Sequence, residues 1–80
     1  MPYPFKKLRK ILKSFEVWED TSKGKGSHTS FLRTFDDGTF SYPIPTHDKD
    51  VADCYVKGVR KKLRLRPEDG VTDAEFFGRA

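Results

Sequence analysis

"HTSFLRTFDDGTFSYPIP", residues His28–Pro45, is the stretch on which the fold turns. Its first eight residues, rich in Thr and Phe, read as a β-strand. "DDG" at 36–38 is a hairpin turn signal. "TFSYPIP" is then the returning strand, with Phe40, Tyr42 and Ile44 alternating onto one face. Pro43 and Pro45 have no N–H to give a ladder, so this strand is an edge or ends there.

Working outward, residues 15–20 supply a further strand, in which Phe15, Val17 and Trp18 are the β-favouring side chains. "TSKGKGS", residues 21–27, links it to the hairpin as a loop, on its Gly and Ser content. Residues 4–14 read as a helix, because Phe5, Leu8, Ile11, Leu12 and Phe15 recur at helical spacing. Pro4 suits a first turn, where a missing N–H costs nothing. The other face is almost wholly Lys and Arg. Such a helix can also lie on a membrane, but with strands to pack on it is read as core-facing.

After the hairpin, residues 51–65 carry Val51, Tyr55, Val59 and Leu63 on one face, with Asp48 or Asp50 placed to cap the helix. Gly58 inside it costs about 1 kcal/mol relative to Ala and points to a close neighbour or a tolerated defect. "RPEDG" ends that helix. "VTDAEFF" holds a capping box, Thr72 with Glu75, and a hydrophobic staple, Val71 with Phe76. A short helix at 73–78 is expected to dock Phe76 or Phe77. The order gives an α+β two-layer domain, a three-stranded antiparallel sheet with helices on one face, in a single domain over residues 1–80.

A chain of 80 residues buries a modest core. Seven Phe, three Tyr and one Trp enlarge it, and that favours order over disorder although charged residues equal hydrophobic ones at 35%. Cys54 is alone, which excludes an internal disulfide or a cysteine-based zinc site and suits a reducing compartment. No apolar run is long enough to span a bilayer. "MPYPFKKLRK" has no apolar stretch behind its charges, so no secretory leader and a cytoplasmic location are expected. The net charge is +4, and its sources cluster: Lys6, Lys7, Arg9, Lys10 and Lys13, then Lys57, Arg60, Lys61, Lys62, Arg64 and Arg66. Clustered cations are the footprint of a polyanion partner, or simply two solvated helix faces.

The loop before the hairpin carries the chemistry. Gly24 and Gly26 alternate with Lys23 and Lys25, so backbone N–H groups and ammonium charge can meet one phosphate. The spacing is neither that of a P-loop nor that of a dinucleotide fingerprint, and an ordinary flexible turn is the plain alternative. His28 sharpens the reading. Imidazole exchanges protons near neutrality. Beside an RNA phosphodiester it can accept the 2′-OH proton, and the alkoxide then attacks phosphorus and expels the 5′ oxygen while lysines stabilise the phosphoryl charge. The alternative is a solvated residue at a strand mouth. His28 and His47 with scattered Asp form no recognisable metal-ligand spacing, so no metal is invoked. Ser27 and His28 are neighbours in sequence only, which argues against a Ser–His dyad.

These residues resemble the HicA toxin family, small mRNA interferases paired with a HicB-type antitoxin. "GKGSHTSF" is similar to the family pattern G-S-H-x-x-F at Gly26, Ser27, His28 and Phe31; "DGTFSYPIPTH" is similar to the family strand ending in P-x-H, here Pro45 and His47; "VKGVRKKLRL" resembles the last family helix. The tail "RPEDGVTDAEFFGRA" extends past the minimal family domain. The resemblance implies a double-stranded-RNA-binding-like α-β-β-β-α sandwich. It implies a metal-independent endoribonuclease acting on mRNA, with His28 catalytic as general base. Lys23, Lys25, Gly26, Ser27 and Arg33 are the candidate RNA contacts, and His47 is either an auxiliary acid or a strand-end residue. The expected partners are mRNA and a HicB-type antitoxin, with no membrane and no small-molecule cofactor. Two alternatives stay open: a non-catalytic RNA-binding module, and a domain whose basic face docks an acidic protein.

Overall fold

A computed structural model describes residues 2–20, 28–46 and 48–80. In chain order the elements are β1 (Tyr3–Pro4), α1 (Phe5–Ser14), β2 (Trp18–Asp20), β3 (His28–Phe35), β4 (Gly38–Pro45), β5 (Asp50–Val51), α2 (Asp53–Lys62), a 3-10 turn (Pro67–Asp69) and α3 (Asp73–Phe77). The chain is α+β, with β2-β3-β4 forming a three-stranded antiparallel sheet. The short β1 and β5 make a separate antiparallel pair, Tyr3 against Val51 and Pro4 against Asp50. Nothing in the residue pattern announced this pair.

The β3–β4 hairpin follows the pattern that suggested it. Eight residue pairs run from His28–Pro45 to Phe35–Gly38. Asp36 and Asp37 make the turn with φ negative, and the positive φ of 136° falls on Gly38, where no Cβ opposes it. Thr29, Phe31 and Ile44 are buried, while His28, Thr34, Ser41 and Pro43 on the other parity are exposed. β4 is an edge strand, which is where its prolines are tolerated. The hairpin core meets Leu8, Ile11 and Leu12 of α1 and Val56 and Val59 of α2, all buried in one apolar cluster.

Both long helices end on a residue in the left-handed region; α1 stops at Ser14, where the 4–14 reading ends it. The 51–65 reading overshoots: α2 stops at Lys62. After α1, Glu16 adopts φ 63°, and its N–H donates to the Lys13 carbonyl at 3.1 Å while Val17 N–H donates to Leu12 at 3.1 Å. After α2, Arg64 adopts φ 58° and Leu65 N–H donates to the Arg60 carbonyl at 2.7 Å. This is the Schellman arrangement, normally built on glycine. The paired apolar residues Leu12 and Val17 are buried beneath the first of these ends, and Leu65 is buried beneath the second. Glu16 in the left-handed slot also explains why the strand expected over 15–20 starts only at Trp18.

The helix starts correct two further expectations. Pro4 precedes α1 as its cap residue, in β1, rather than sitting in its first turn. Neither Asp48 nor Asp50 caps α2; Ala52 holds that position without a side-chain bond, because Asp50 and Val51 are drawn into β5. The Gly58 expectation resolves towards close packing: a Cβ there would collide with the Tyr42 hydroxyl oxygen.

The tail is held by one guanidinium. Arg60, read in the sequence as part of a basic face, is 8% exposed. Its Nε donates to the Leu65 carbonyl at 2.8 Å, Nη2 to Val71 at 3.2 Å and Nη1 to Asp73 Oδ1 at 2.7 Å. Its plane lies 4.4 Å from the Phe76 ring centroid. Phe76 is fully buried and stacks on Phe15, while Phe77 stays 37% exposed. Thr72 accepts from Glu75 N–H at 3.1 Å, the N-terminal half of the expected capping box.

Two substitutions test these statements. Glu16→Gly relieves the left-handed cost of about 1 kcal/mol, so chemical denaturation should show a stability gain of about 0.5–1 kcal/mol; a loss would mean Glu16 is not strained. Arg60→Met keeps the bulk but strands the Leu65 and Val71 carbonyls, and should cost about 3 kcal/mol in the same measurement.

Candidate functional site

His28 opens β3, is exposed, and stands opposite Pro45. It lines a cavity of about 250 Å³ together with Pro45, Asp48, Asp50, Val51, Ala52 and Tyr55. The local folding that builds this cavity is the β1–β5 pair. Pairing with Tyr3 and Pro4 turns the chain at Asp50 and Val51, and Phe5 N–H fixes the Lys49 carbonyl at 2.9 Å. α2 then starts beside the mouth of β3 and brings Tyr55 to it. The cavity therefore offers an imidazole, a phenol and two carboxylates.

The sequence points to Asp48 or Asp50 as a helix cap and to Tyr55 as a core position, and to none of the three as a neighbour of His28. The signal for Tyr55 was present: it is the one residue with a polar tip on the apolar face of α2, and such residues keep one end wet. For the acidic pair no local signal existed, because their place depends on β1, which lies far upstream. The carboxylates make one side of the cavity unfavourable for an incoming phosphate. Among the described residues, no group of three or more His, Cys, Asp or Glu is arranged to hold a metal ion.

Lys23, Lys25, Gly26, Ser27 and His47 lie outside the described residues. Arg33 does not join His28. It sits five residues along β3, which is about 16 Å at 3.3 Å per residue, and on the opposite face of the strand. Its Nη1 donates to the Leu63 carbonyl at 2.8 Å and to Arg64 at 3.4 Å. It therefore satisfies the open carbonyls at the end of α2. Burial lowers the Arg33 guanidinium from its ordinary value, and it stays a cation.

The two basic blocks behave differently. In α1, Lys6, Lys7, Lys10 and Lys13 are exposed and form no ion pair among the described residues, whereas Arg9 binds Glu19 at 2.6 Å. In the second block Arg60 is buried, Arg64 binds Asp37 at 2.6 Å, Arg66 reaches Asp69 at 3.4 Å and Lys57 binds Asp53 at 3.0 Å. Lys61 and Lys62 remain as its exposed cations without a carboxylate partner among the described residues. The positive surface is thus narrower than the residue count suggests.

No family model, curated protein or solved structure matches this chain.

The Arg64–Asp37 pair gives a titration test. The hydrogen bond from Arg64 holds the Asp37 carboxyl below its usual range, and the same contact raises the guanidinium. A carboxyl depressed in the folded state stabilises the fold above the ordinary carboxylate range, and that contribution is lost as pH falls through the depressed value. Carboxyl-carbon NMR should place the Asp37 midpoint low in the native protein and return it upward in Arg64→Gln. Equal midpoints would show that the pair does not form in solution.

Proposed function

We propose that this chain is a metal-independent endoribonuclease of the HicA type, the toxin of a toxin–antitoxin pair, with His28 as general base. The observation that carries the reading is the position of His28: exposed at the mouth of a hairpin strand, against an open cavity, rather than sealed in the core. In this reading the helices lie on one face of the sheet, giving a two-layer α-β-β-β-α sandwich with the tail added. The glycine- and lysine-rich segment directly before His28 in the chain supplies the phosphate contacts, from Lys23, Lys25 and the backbone of Gly26 and Ser27.

The chemistry follows from an imidazole beside a ribose. His28 takes the 2′-OH proton, the 2′ oxygen forms a bond to phosphorus, and the bond to the 5′ oxygen breaks. The departing 5′ oxygen takes a proton from a donor in the site, and a cyclic phosphate stays on the upstream fragment. Ammonium groups stabilise the extra charge on the phosphoryl oxygens. The unpaired lysines of α1 track the backbone further out. Arg33 is given no phosphate, since its donors already serve α2. His47 is the auxiliary acid or a strand-end residue. The partners are mRNA and a HicB-type antitoxin, in the cytoplasm.

A non-catalytic RNA-binding module is the second reading. The cations of α1 favour it, because they serve binding whether or not His28 reacts. One experiment separates the two. Labelled RNA is incubated with the protein in EDTA beside His28→Ala. The nuclease reading expects cleavage that falls by about 100-fold or more in the variant, with a cooperative thermal unfolding transition showing that the variant is folded. Expression of the wild type, and not of the variant, should arrest growth. Binding without cleavage by the wild type favours the module, and cleavage retained by His28→Ala removes His28 from the mechanism.

A further inference from the structure

Between β4 and α2 lies a groove of about 580 Å³, separate from the His28 cavity. Its floor is aromatic: Phe40 and Tyr42 are half-buried, packed on the core by one edge and open to the groove by the other. Gly58 makes this possible, because any Cβ at that position would collide with the Tyr42 hydroxyl. Its rim is cationic, from Lys61, Lys62, Arg64 and Arg66. Lys62 Nζ is 5.8 Å and the Arg64 guanidinium 5.1 Å from the centre of the Phe40 ring. Asp69, the carboxylate on the same rim, is bound by Arg66 at 3.4 Å. Lys61 and Lys62 are exposed and have no carboxylate partner among the described residues.

We propose that this groove is a subsite for single-stranded RNA, taking an unpaired nucleobase against its aromatic floor and the flanking phosphates on Lys61 and Lys62. Base–aromatic stacking beside a cationic track is how unpaired strands are held without sequence preference. A duplex keeps its bases stacked inside and offers only phosphates and 2′-OH groups, which would leave the aromatic floor unused. An acidic peptide adding as a strand to β4 is the competing occupant. Pro43 and Pro45 disfavour it, since an edge strand lacking those N–H groups cannot complete a ladder. Position also supports RNA. Tyr55 lines the His28 cavity, and Lys61 lies six residues on, about 9 Å along the same helix. The two sites are therefore close enough for one strand to occupy both. That last point rests on the nuclease reading; binding in the groove does not.

The test is fluorescence anisotropy with a labelled single-stranded RNA of about 10 nucleotides, its duplex, and a poly-glutamate peptide, all in EDTA. The proteins are the wild type, Phe40→Leu, the double variant Lys61→Gln/Lys62→Gln, and His28→Ala, each checked for folding by thermal unfolding. Single-stranded RNA should bind Phe40→Leu about 10-fold more weakly. The double variant should bind more weakly too, with the salt slope reduced by about 1.4, two phosphates at about 0.7 each. Should Phe40→Leu not fold, the lysine double variant decides. Unchanged single-strand affinity in the folded groove variants overturns the proposal, as does equal loss of duplex binding or peptide binding stronger than RNA. Groove-dependent binding without any cleavage would sink the nuclease reading and leave the groove standing. Cleavage by His28 with groove variants of wild-type affinity would do the reverse.

Discussion

The register of the β3–β4 hairpin is the constraint from which the rest follows. Strand side chains alternate with period two, so a slip of one residue would send Phe31 and Ile44 to solvent and bring Ser30 and Pro43 inward. The two-residue turn at Asp36–Asp37, closed by Gly38, fixes the pairing Phe31–Tyr42 and with it every pair to the open end. That one choice puts His28 at the strand mouth beside Pro45. It also places Phe40 and Tyr42 on the parity that faces α2. The candidate site and the aromatic groove are two outcomes of a single register.

Around the hairpin, long-range ties reinforce what a small core supplies. The tip of the hairpin is joined to the end of α2 twice, by Arg33 on the Leu63 carbonyl and by Arg64 on Asp37. The tail returns to the end of α1, where Arg79 donates to the Ser14 carbonyl at 3.1 Å and lies over the Phe15 ring. Tyr3 and Phe77, near opposite ends of the chain, have ring centroids 5.2 Å apart. In a domain of this size such ties matter, because buried apolar area alone leaves little margin over chain entropy.

How far the residues alone could be read depends on how local the deciding interaction is. The hairpin, the stripe of α1 and the Thr72 cap are local, and each was visible. The end of α1 at Ser14 was visible too, but the end of α2 was not, because Arg64 occupies a slot where a reader looks for glycine. The β1–β5 pair was invisible for a different reason: two-residue strands carry no periodicity. That omission propagated to the site, since it is this pair that redirects Asp48, Asp50 and Tyr55 towards His28. Arg60 and Arg33 looked like surface cations because a charge count does not reveal burial. His28 itself stood out, since its loop and strand context lie within a few residues of it.

The two kinds of cation have divided their duties. Every arginine of the chain donates to a carbonyl or carboxylate, while the described lysines outside the Lys57–Asp53 pair are exposed and have no carboxylate partner among the described residues. A planar fork with several donors suits fixed partners, and a flexible ammonium suits a diffuse one. It follows that acylation of amines would strip the outward field while sparing the scaffold. A dicarbonyl reagent that consumes guanidinium groups would instead unpick the tail and the hairpin tip. Evolution of affinity for a polyanion is therefore free to proceed by gaining or losing lysines, with little penalty to folding.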